Sequence, residues 1–124
     1  MEYTVKVDIE GTVRYYKPGT DVLHREDGPA FINSNGHEVW LKEGQWHRED
    51  GPAIETPDGK KYWYKEGKRH REDGPALECA DGYKEYWIDD KHLSEEQFEK
   101  RTREAKVRTF TVPVGTEEIR IQFE

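Results

Sequence analysis

The heptapeptide HREDGPA occurs three times in this chain, at residues 24–30, 47–53 and 70–76. Successive copies begin 23 residues apart. A fixed period of this length is typical of repeat proteins, in which each unit buries its apolar surface against its neighbours. The chain has 124 residues, so the repeat accounts for most of it.

The repeat extends beyond the heptapeptide. A glycine opens a second segment in each unit, at Gly36, Gly59 and Gly82, and Gly11 begins a similar segment 25 residues before Gly36. We attribute the two additional residues to the stretch 20–23. Four positions after each glycine is an aromatic residue, and a second large apolar residue follows it. The first row is Tyr15, Trp40, Trp63 and Tyr86, and the second row is Tyr16, Leu41, Tyr64 and Trp87.

Turn chemistry predicts β-hairpins. Asn35-Gly36, Asp58-Gly59 and Asp81-Gly82 are typical of type I′ turns, in which both central residues have positive φ. Short stretches rich in β-forming residues flank each pair, so each unit is predicted to form one hairpin. The Lys-Glu-Gly and Glu-Asp-Gly-Pro stretches are then predicted to connect one hairpin to the next.

The unit GPAIETPDGKKYWYKEGKRHRED resembles the MORN repeat, and more closely an HREDGPA-type variant found in bacterial and phage proteins. The resemblance covers residues 8–93. It implies a mainly β fold in which consecutive hairpins of 23 residues form one elongated antiparallel sheet. The chain differs from usual MORN units, which carry Tyr-x-Gly-x-Trp in the second strand, because it has Val-Trp-Leu or Tyr-Trp-Tyr there.

The two ends are predicted to cap the repeats within a single domain, residues 1–124. Residues 1–23 form capping strands and a partial repeat, with Tyr3, Val5, Val7 and Ile9 alternating as in a half-buried strand. Residues 24–93 hold three repeats. Ser94 and Gln97 form a capping box that opens a helix over 94–106. Residues 107–124 are predicted to form a final hairpin, with an apolar face from Phe110, Val112, Val114, Ile119, Ile121 and Phe123.

Composition limits the class of protein. Hydrophobic residues make up 32% and charged residues 38%, but four Trp, seven Tyr and four Phe favour an aromatic core over disorder. The net charge of −7 argues against binding to nucleic acid. The single Cys79 excludes an intramolecular disulfide and a cysteine-rich zinc site. No stretch approaches the roughly 20 apolar residues of a membrane span, so we expect a cytoplasmic protein, in the host cytoplasm if it comes from a phage.

The His-Arg-Glu-Asp segment could in principle hold a metal or a general base. Equivalent residues of a two-strand repeat are about 10 Å apart, so His24, His47 and His70 are predicted not to share an ion, and no cofactor is expected. We predict instead that the imidazole and guanidinium groups pack on the neighbouring turn. The acidic residues are predicted to be Asx-turn acceptors, at Asp27, Asp50 and Asp73, or solvated, at Glu26, Glu49 and Glu72.

The aromatic rows are the predicted binding residues. Adjacent strand residues point to opposite faces, and one sheet cannot hide both rows, so one row should be at least partly exposed. Trp46 is a further candidate, because the other units have Leu23 or Arg69 there. A purely structural role for the rows, with long Lys and Arg side chains covering them, stays open.

We therefore predict a non-enzymatic protein-interaction module that binds another protein, as a monomer or a homodimer. The resemblance is compatible with a small phage inhibitor of a host protein. The alternatives are a peripheral lipid-binding protein, which the net charge of −7 disfavours on an anionic membrane, and a metal-dependent enzyme.

Overall fold

The computed structural model describes residues 2–107, 109–118 and 120. Within them the chain is mainly β, with one helix near the C-terminal end. The elements are β1 (Thr4–Val7), β2 (Val13–Tyr16), β3 (Phe31–Ile32), β4 (Glu38–Val39), β5 (Leu41–Lys42), β6 (Gln45–Trp46), β7 (Ile54–Glu55), β8 (Lys61–Tyr62), β9 (Tyr64–Lys65), β10 (Lys68–Arg69), β11 (Leu77–Glu78), β12 (Lys84–Ile88), β13 (Lys91–Leu93) and α1 (Glu95–Ala105).

Nine strands form one antiparallel sheet in the order β1-β2-β3-β4-β7-β8-β11-β12-β13. The order follows the chain, and each pair of neighbours is antiparallel. This confirms the predicted fold class, an antiparallel sheet of hairpins followed by a short helix. The remaining strands form two separate hairpins, β5–β6 and β9–β10, which leave the sheet after Trp40 and Trp63.

The Asn-Gly and Asp-Gly turns differ from the prediction. Only the glycine of each pair has a positive φ, as in Gly36 at 93°. The N–H of Gly36 donates to the Asn33 carbonyl at 3.1 Å, and the N–H of Asn33 donates to the His37 carbonyl at 3.1 Å. This is a three-residue loop ended by a left-handed glycine, not a type I′ turn. The Asn33 side chain favours the longer loop, because its Oδ1 accepts the N–H groups of Asn35 and His37.

The type I′ turns lie instead in the Lys-Glu-Gly stretches, which were predicted to be connections. In the Glu43-Gly44 turn φ is 53° and 77°, and in the Glu66-Gly67 turn it is 49° and 81°. Asp89 and Asp90, at 47° and 65°, form the equivalent turn of the last unit. Each full unit therefore carries two hairpins. In the first copy a four-residue loop, 18–21, replaces the two-residue turn, which accounts for the two additional residues.

The second hairpins stack on one another along the repeat. The N–H of Gly44 donates to the Leu23 carbonyl at 2.9 Å, and the N–H of Gly67 donates to the Trp46 carbonyl at 2.9 Å. Side chains follow the same pattern, because the Trp46 ring lies 4.9 Å from the ring of Tyr64 in the next unit. The residue at position 46 thus packs on the following hairpin.

The core is small. Within the described part of the chain it consists of Ala30, Ala53, Ala76, Leu41, Tyr64, Ile88 and Phe98. Ala53 is fully buried because it is bonded on both sides: its N–H donates to the Tyr62 carbonyl, and its own carbonyl accepts the Trp40 N–H. The predicted aromatic core is therefore mostly wrong. A single sheet provides no second layer to enclose large rings, and most of them are half-buried and pack by stacking.

Helix α1 confirms the predicted helix and its capping box. Ser94 accepts the Gln97 N–H, and the Gln97 side chain accepts the Ser94 N–H. The buried Phe98 ring lies 4.7 Å from the Tyr86 ring, where another unit would otherwise follow. Within the described residues, no helix is long and apolar enough to cross a membrane.

The other two predicted caps, the N-terminal strand and the C-terminal hairpin, differ from the prediction. Strand β1 forms, but Val5 and Val7 are 47% and 65% exposed, because β1 is the edge of the sheet and α1 lies at the opposite end. In residues 107, 109–118 and 120 the predicted final hairpin has no strand, and its first apolar residues are exposed. Its second half, with Ile119, Ile121 and Phe123, lies outside the described residues.

Candidate binding surface on the HREDGPA corners

Each HREDGPA arginine covers a first-row ring. The Arg48 guanidinium carbon lies 4.0 Å from the centre of the Trp40 ring. Its Nη1 donates to the Pro52 carbonyl at 3.1 Å, and its Nε donates to the Asp50 carboxylate at 3.4 Å. Arg25 over Tyr15 and Arg71 over Trp63 repeat the arrangement at 4.0 and 3.9 Å. This geometry combines a cation–π contact with charge-assisted hydrogen bonds.

The aspartates therefore do not have the predicted role. They were expected to accept turn N–H groups, but each accepts a hydrogen bond from the Nε of the arginine two residues earlier. Hydrogen bonding to Arg25 lowers the pKa of Asp27 from its ordinary value. We call the arginine, with the aspartate and the proline carbonyl that it bonds, the arginine clamp. The aspartate thus helps to orient the guanidinium.

The glycine of the heptapeptide gives the guanidinium room. A Cβ atom on Gly51 would lie 2.8 Å from the Arg48 guanidinium carbon, and the corresponding distances are 2.6 Å at Gly28 and 2.9 Å at Gly74. These glycines do not have positive φ. Space, rather than backbone conformation, therefore favours glycine here, because an added Cβ would displace the guanidinium.

We call the turn formed by each HREDGPA heptapeptide a corner. The histidine of each corner is hydrogen-bonded to the next unit. Nδ1 of His47 accepts the backbone N–H of Glu66 at 3.0 Å, at the start of the next type I′ turn. His24 and His70 bond Glu43 and Asp89 in the same way, at 2.9 and 3.1 Å. A backbone N–H can only donate, so the ring proton of each neutral imidazole lies on Nε2.

Nε2 of His47 donates to Glu49 at 2.6 Å. This hydrogen bond, followed by the charge of Lys65, lowers the pKa of Glu49. Among the described residues, no group of three or more His, Cys, Asp or Glu side chains is arranged to hold a metal ion.

Two equivalent grooves lie between successive corners, and we call them the corner grooves. The first has a volume of about 440 Å³ and is lined by Arg25, Glu26, Trp40, Lys42, His47, Arg48, Glu49 and Asp50. The second has a volume of about 510 Å³ and is lined by Arg48, Glu49, Asp50, Gly51, Pro52, Trp63, Lys65, His70, Arg71, Glu72 and Asp73. Both contain a tryptophan, the lysine two residues after it, a histidine and carboxylates from two corners.

The carboxylates of the grooves face solvent. The side chains of Glu49 and Glu72 are 69% and 68% exposed, and that of Glu26 is 46% exposed. The arginine charges are partly buried and bound to carbonyl groups and aspartates of their own corners. The glutamates are therefore exposed charges of the corners, and the exposed Lys42 and Lys65 lie in the same grooves.

The structure separates the two predicted aromatic rows. All members of the first row are half-buried, and Trp40 and Trp63 line the corner grooves. Tyr15 packs between Arg25 and Tyr3, and Tyr86 packs on Phe98. In the second row, Leu41 and Tyr64 are buried, whereas Tyr16 and Trp87 are half-buried.

Only two of the eight predicted binding residues line a corner groove, and the other six do not: Tyr15, Tyr16, Tyr64, Tyr86, Trp46 and Trp87. Trp87 packs between Arg69 and His92, and Lys6 lies over Tyr16. Trp46 is 44% exposed and stacked on Tyr64.

Sequence reasoning predicted solvated glutamates, but it did not name Lys42 and Lys65 or place these charged residues in grooves beside the tryptophans. Lys42 and Lys65 each follow a groove tryptophan by two positions, and residues two apart in an extended chain share a face. That spacing was visible in the sequence. The position of the glutamates was not, because it depends on the fold of the corner. No family model, curated protein or solved structure matches this chain, so the corner grooves themselves are the basis for assigning a function.

Proposed function

We propose that this chain is a non-enzymatic protein-binding module and that the corner grooves are its binding surface. The observation that carries the proposal is the repetition of one groove, in which a half-buried tryptophan lies beside exposed carboxylates. Aromatic residues surrounded by a polar rim are typical of protein interfaces.

The grooves are held in place by the fold. The arginine clamp fixes the ring of Trp40 or Trp63, and the histidine fixes the position of the next turn. A surface that is already ordered loses little conformational entropy on binding, which favours affinity. Both nitrogens of His47 are engaged in these bonds, which supports a structural role for this histidine over a catalytic one.

Charge favours a basic protein as the partner. The chain has a net charge of −7, which disfavours a phosphate backbone or an anionic membrane as the partner. Each corner also exposes a glutamate that a basic side chain can reach. The resemblance to phage-type repeat proteins extends the proposal to an inhibitor of a host protein.

The experiment is affinity purification from native cells followed by mass spectrometry. The groove variant Glu26→Lys/Glu49→Lys/Glu72→Lys reverses the rim charges. The control variant Glu99→Lys/Glu104→Lys/Glu117→Lys makes the same change in charge on exposed residues of α1 and the segment after it. Charge reversal is preferable to Trp→Ala, because removing Trp40 or Trp63 would also release an arginine.

We expect a partner that the wild type and the control variant retain and the groove variant loses. A partner bound equally by all three proteins would exclude the corner grooves as the binding surface. Circular dichroism of the groove variant establishes that it is folded before the comparison is made.

A further inference from the structure

We propose that the partner segment is a polyproline II helix with Lys or Arg at every third residue, lying across both corner grooves. This inference rests on the proposed function and specifies the chemistry of the partner. It follows from the repeat distance of the grooves, the residues that line them and the exposed glutamate at each corner.

The grooves repeat at nearly the spacing of one turn of polyproline II. Equivalent positions of neighbouring units are separated by two strands, about 10 Å. Polyproline II has three residues per turn and rises about 3.1 Å per residue, so side chains three apart lie on one face at about 9 Å. In a β-strand, same-face residues are about 7 or 14 Å apart. Polyproline II therefore matches the grooves more closely than a strand does.

The lining of each groove can contact both the prolines and the basic residues of such a segment. Each groove contains a half-buried indole, Trp40 in one and Trp63 in the other, with an arginine stacked over one face. Proline-rich segments dock in grooves that aromatic residues line. The carboxylates of Glu26, Glu49 and Glu72 are placed one per corner along the rim. A basic residue at every third position would meet one rim carboxylate per unit.

The chain already contains one example of the proposed ionic contact. Nζ of Lys65 lies 3.6 Å from Oε2 of Glu49, and both side chains are about half exposed or more. An ammonium group therefore fits at this carboxylate. A basic partner side chain would compete with Lys65 for Glu49, so removal of the lysine charge should strengthen binding.

The test is fluorescence anisotropy with labelled synthetic peptides and the full chain. The probe has four Lys-Pro-Pro units. A second peptide has the same composition, with all lysines together at one end. A third is an alanine-rich helical peptide with lysine at every seventh residue, which spaces the charges at about 10.5 Å.

We expect the wild type to bind the Lys-Pro-Pro peptide at least tenfold more tightly than either other peptide. Glu26→Lys/Glu49→Lys/Glu72→Lys should weaken that binding at least tenfold, and Lys42→Gln/Lys65→Gln should strengthen it severalfold. The control Glu99→Lys/Glu104→Lys/Glu117→Lys should bind more tightly than the groove variant.

Equal affinity for the two proline peptides would overturn the inference, because charge alone would then explain binding. Preference for the helical peptide, or no binding of any peptide, would overturn it as well. A partner lost only by the groove variant in the affinity purification would still support the proposed function, so the two proposals fail separately.

Discussion

At the scale of single residues, the heptapeptide is an architectural corner in which almost every position has a defined contact. The histidine accepts a turn N–H from the next unit, the arginine covers a ring, and the aspartate orients the arginine. The glycine leaves space for the guanidinium and the alanine is buried. The glutamate is exposed to solvent, and in the second corner its carboxylate accepts the Nε2–H of His47.

Gly51→Ala tests the steric role of the glycine. The added Cβ would lie 2.8 Å from the Arg48 guanidinium carbon and displace the guanidinium from Trp40 and the Pro52 carbonyl. We expect unfolding in urea to show a loss of about 2 kcal/mol, the combined value of a charged hydrogen bond and a cation–π contact. In an Arg48→Met background the same substitution should cost much less. An equal cost in both backgrounds would contradict this account.

His47→Asn and His47→Gln test the histidine bond. The Asn Oδ1 atom can take the position of the imidazole Nδ1 atom and accept the Glu66 N–H, whereas the Gln Oε1 atom lies one bond further out. We expect the Gln variant to be less stable than the Asn variant by about 1 kcal/mol in urea unfolding, the net value of one hydrogen bond. Equal stability of the two variants would show that the bond contributes nothing.

At the scale of elements, local chemistry determines what could be predicted. The helix was predictable because its capping box involves only Ser94 and Gln97, which are neighbours in sequence. The turns were harder, because Asn-Gly and Asp-Gly occur in more than one loop geometry. The true type I′ turns have Glu43 and Glu66 at positive φ, a conformation that residue statistics do not favour for glutamate.

Glu66→Asn tests the assignment of the type I′ turn. Asparagine adopts positive φ more readily than glutamate, and the backbone N–H that bonds His47 is unchanged. We expect a gain of about 0.5 kcal/mol in urea unfolding. Glu38→Asn, in strand β4, removes the same charge and should give no gain. Destabilisation by Glu66→Asn would contradict the assignment.

At the scale of the whole molecule, the chain behaves as a stack of units held by a small core and by many polar contacts between neighbours. The period and the fold class were predictable, because repetition places HREDGPA and the aromatic rows in columns. Burial was not, because it depends on what covers each face. Val5 and Val7 alternate as a buried strand would, yet they lie on an open edge. The corner grooves depend on how successive corners stack, and the order of residues in the sequence does not show this.

The contacts of the carboxylates predict acid sensitivity. Hydrogen bonds and nearby cations lower the pKa values of Asp8, Asp27, Glu43, Glu49, Asp58 and Glu85 in the folded state. A group with a lowered folded pKa stabilises the fold above its unfolded pKa, about 4, and loses that contribution as the pH falls through the folded value. We expect the urea midpoint to fall below pH 4.

Asp8→Asn is the matched variant for this measurement. The Asn side chain can still accept the Glu10 and Thr12 N–H groups but carries no charge for Arg14. It should be less stable than the wild type at pH 6, and the difference should narrow as the pH approaches 3. A difference that stays constant over this range would show that Asp8 ionisation does not contribute.

The indole N–H signals of the four tryptophans in a ¹H–¹⁵N NMR titration with the Lys-Pro-Pro peptide test the central claim most directly. Trp40 and Trp63 line the corner grooves, whereas Trp46 packs on Tyr64 and Trp87 donates its N–H to Glu85. We predict that the signals of Trp40 and Trp63 shift together and saturate at one affinity, while those of Trp46 and Trp87 stay in place. Shifts at Trp46 or Trp87 without shifts at Trp40 and Trp63 would contradict the account.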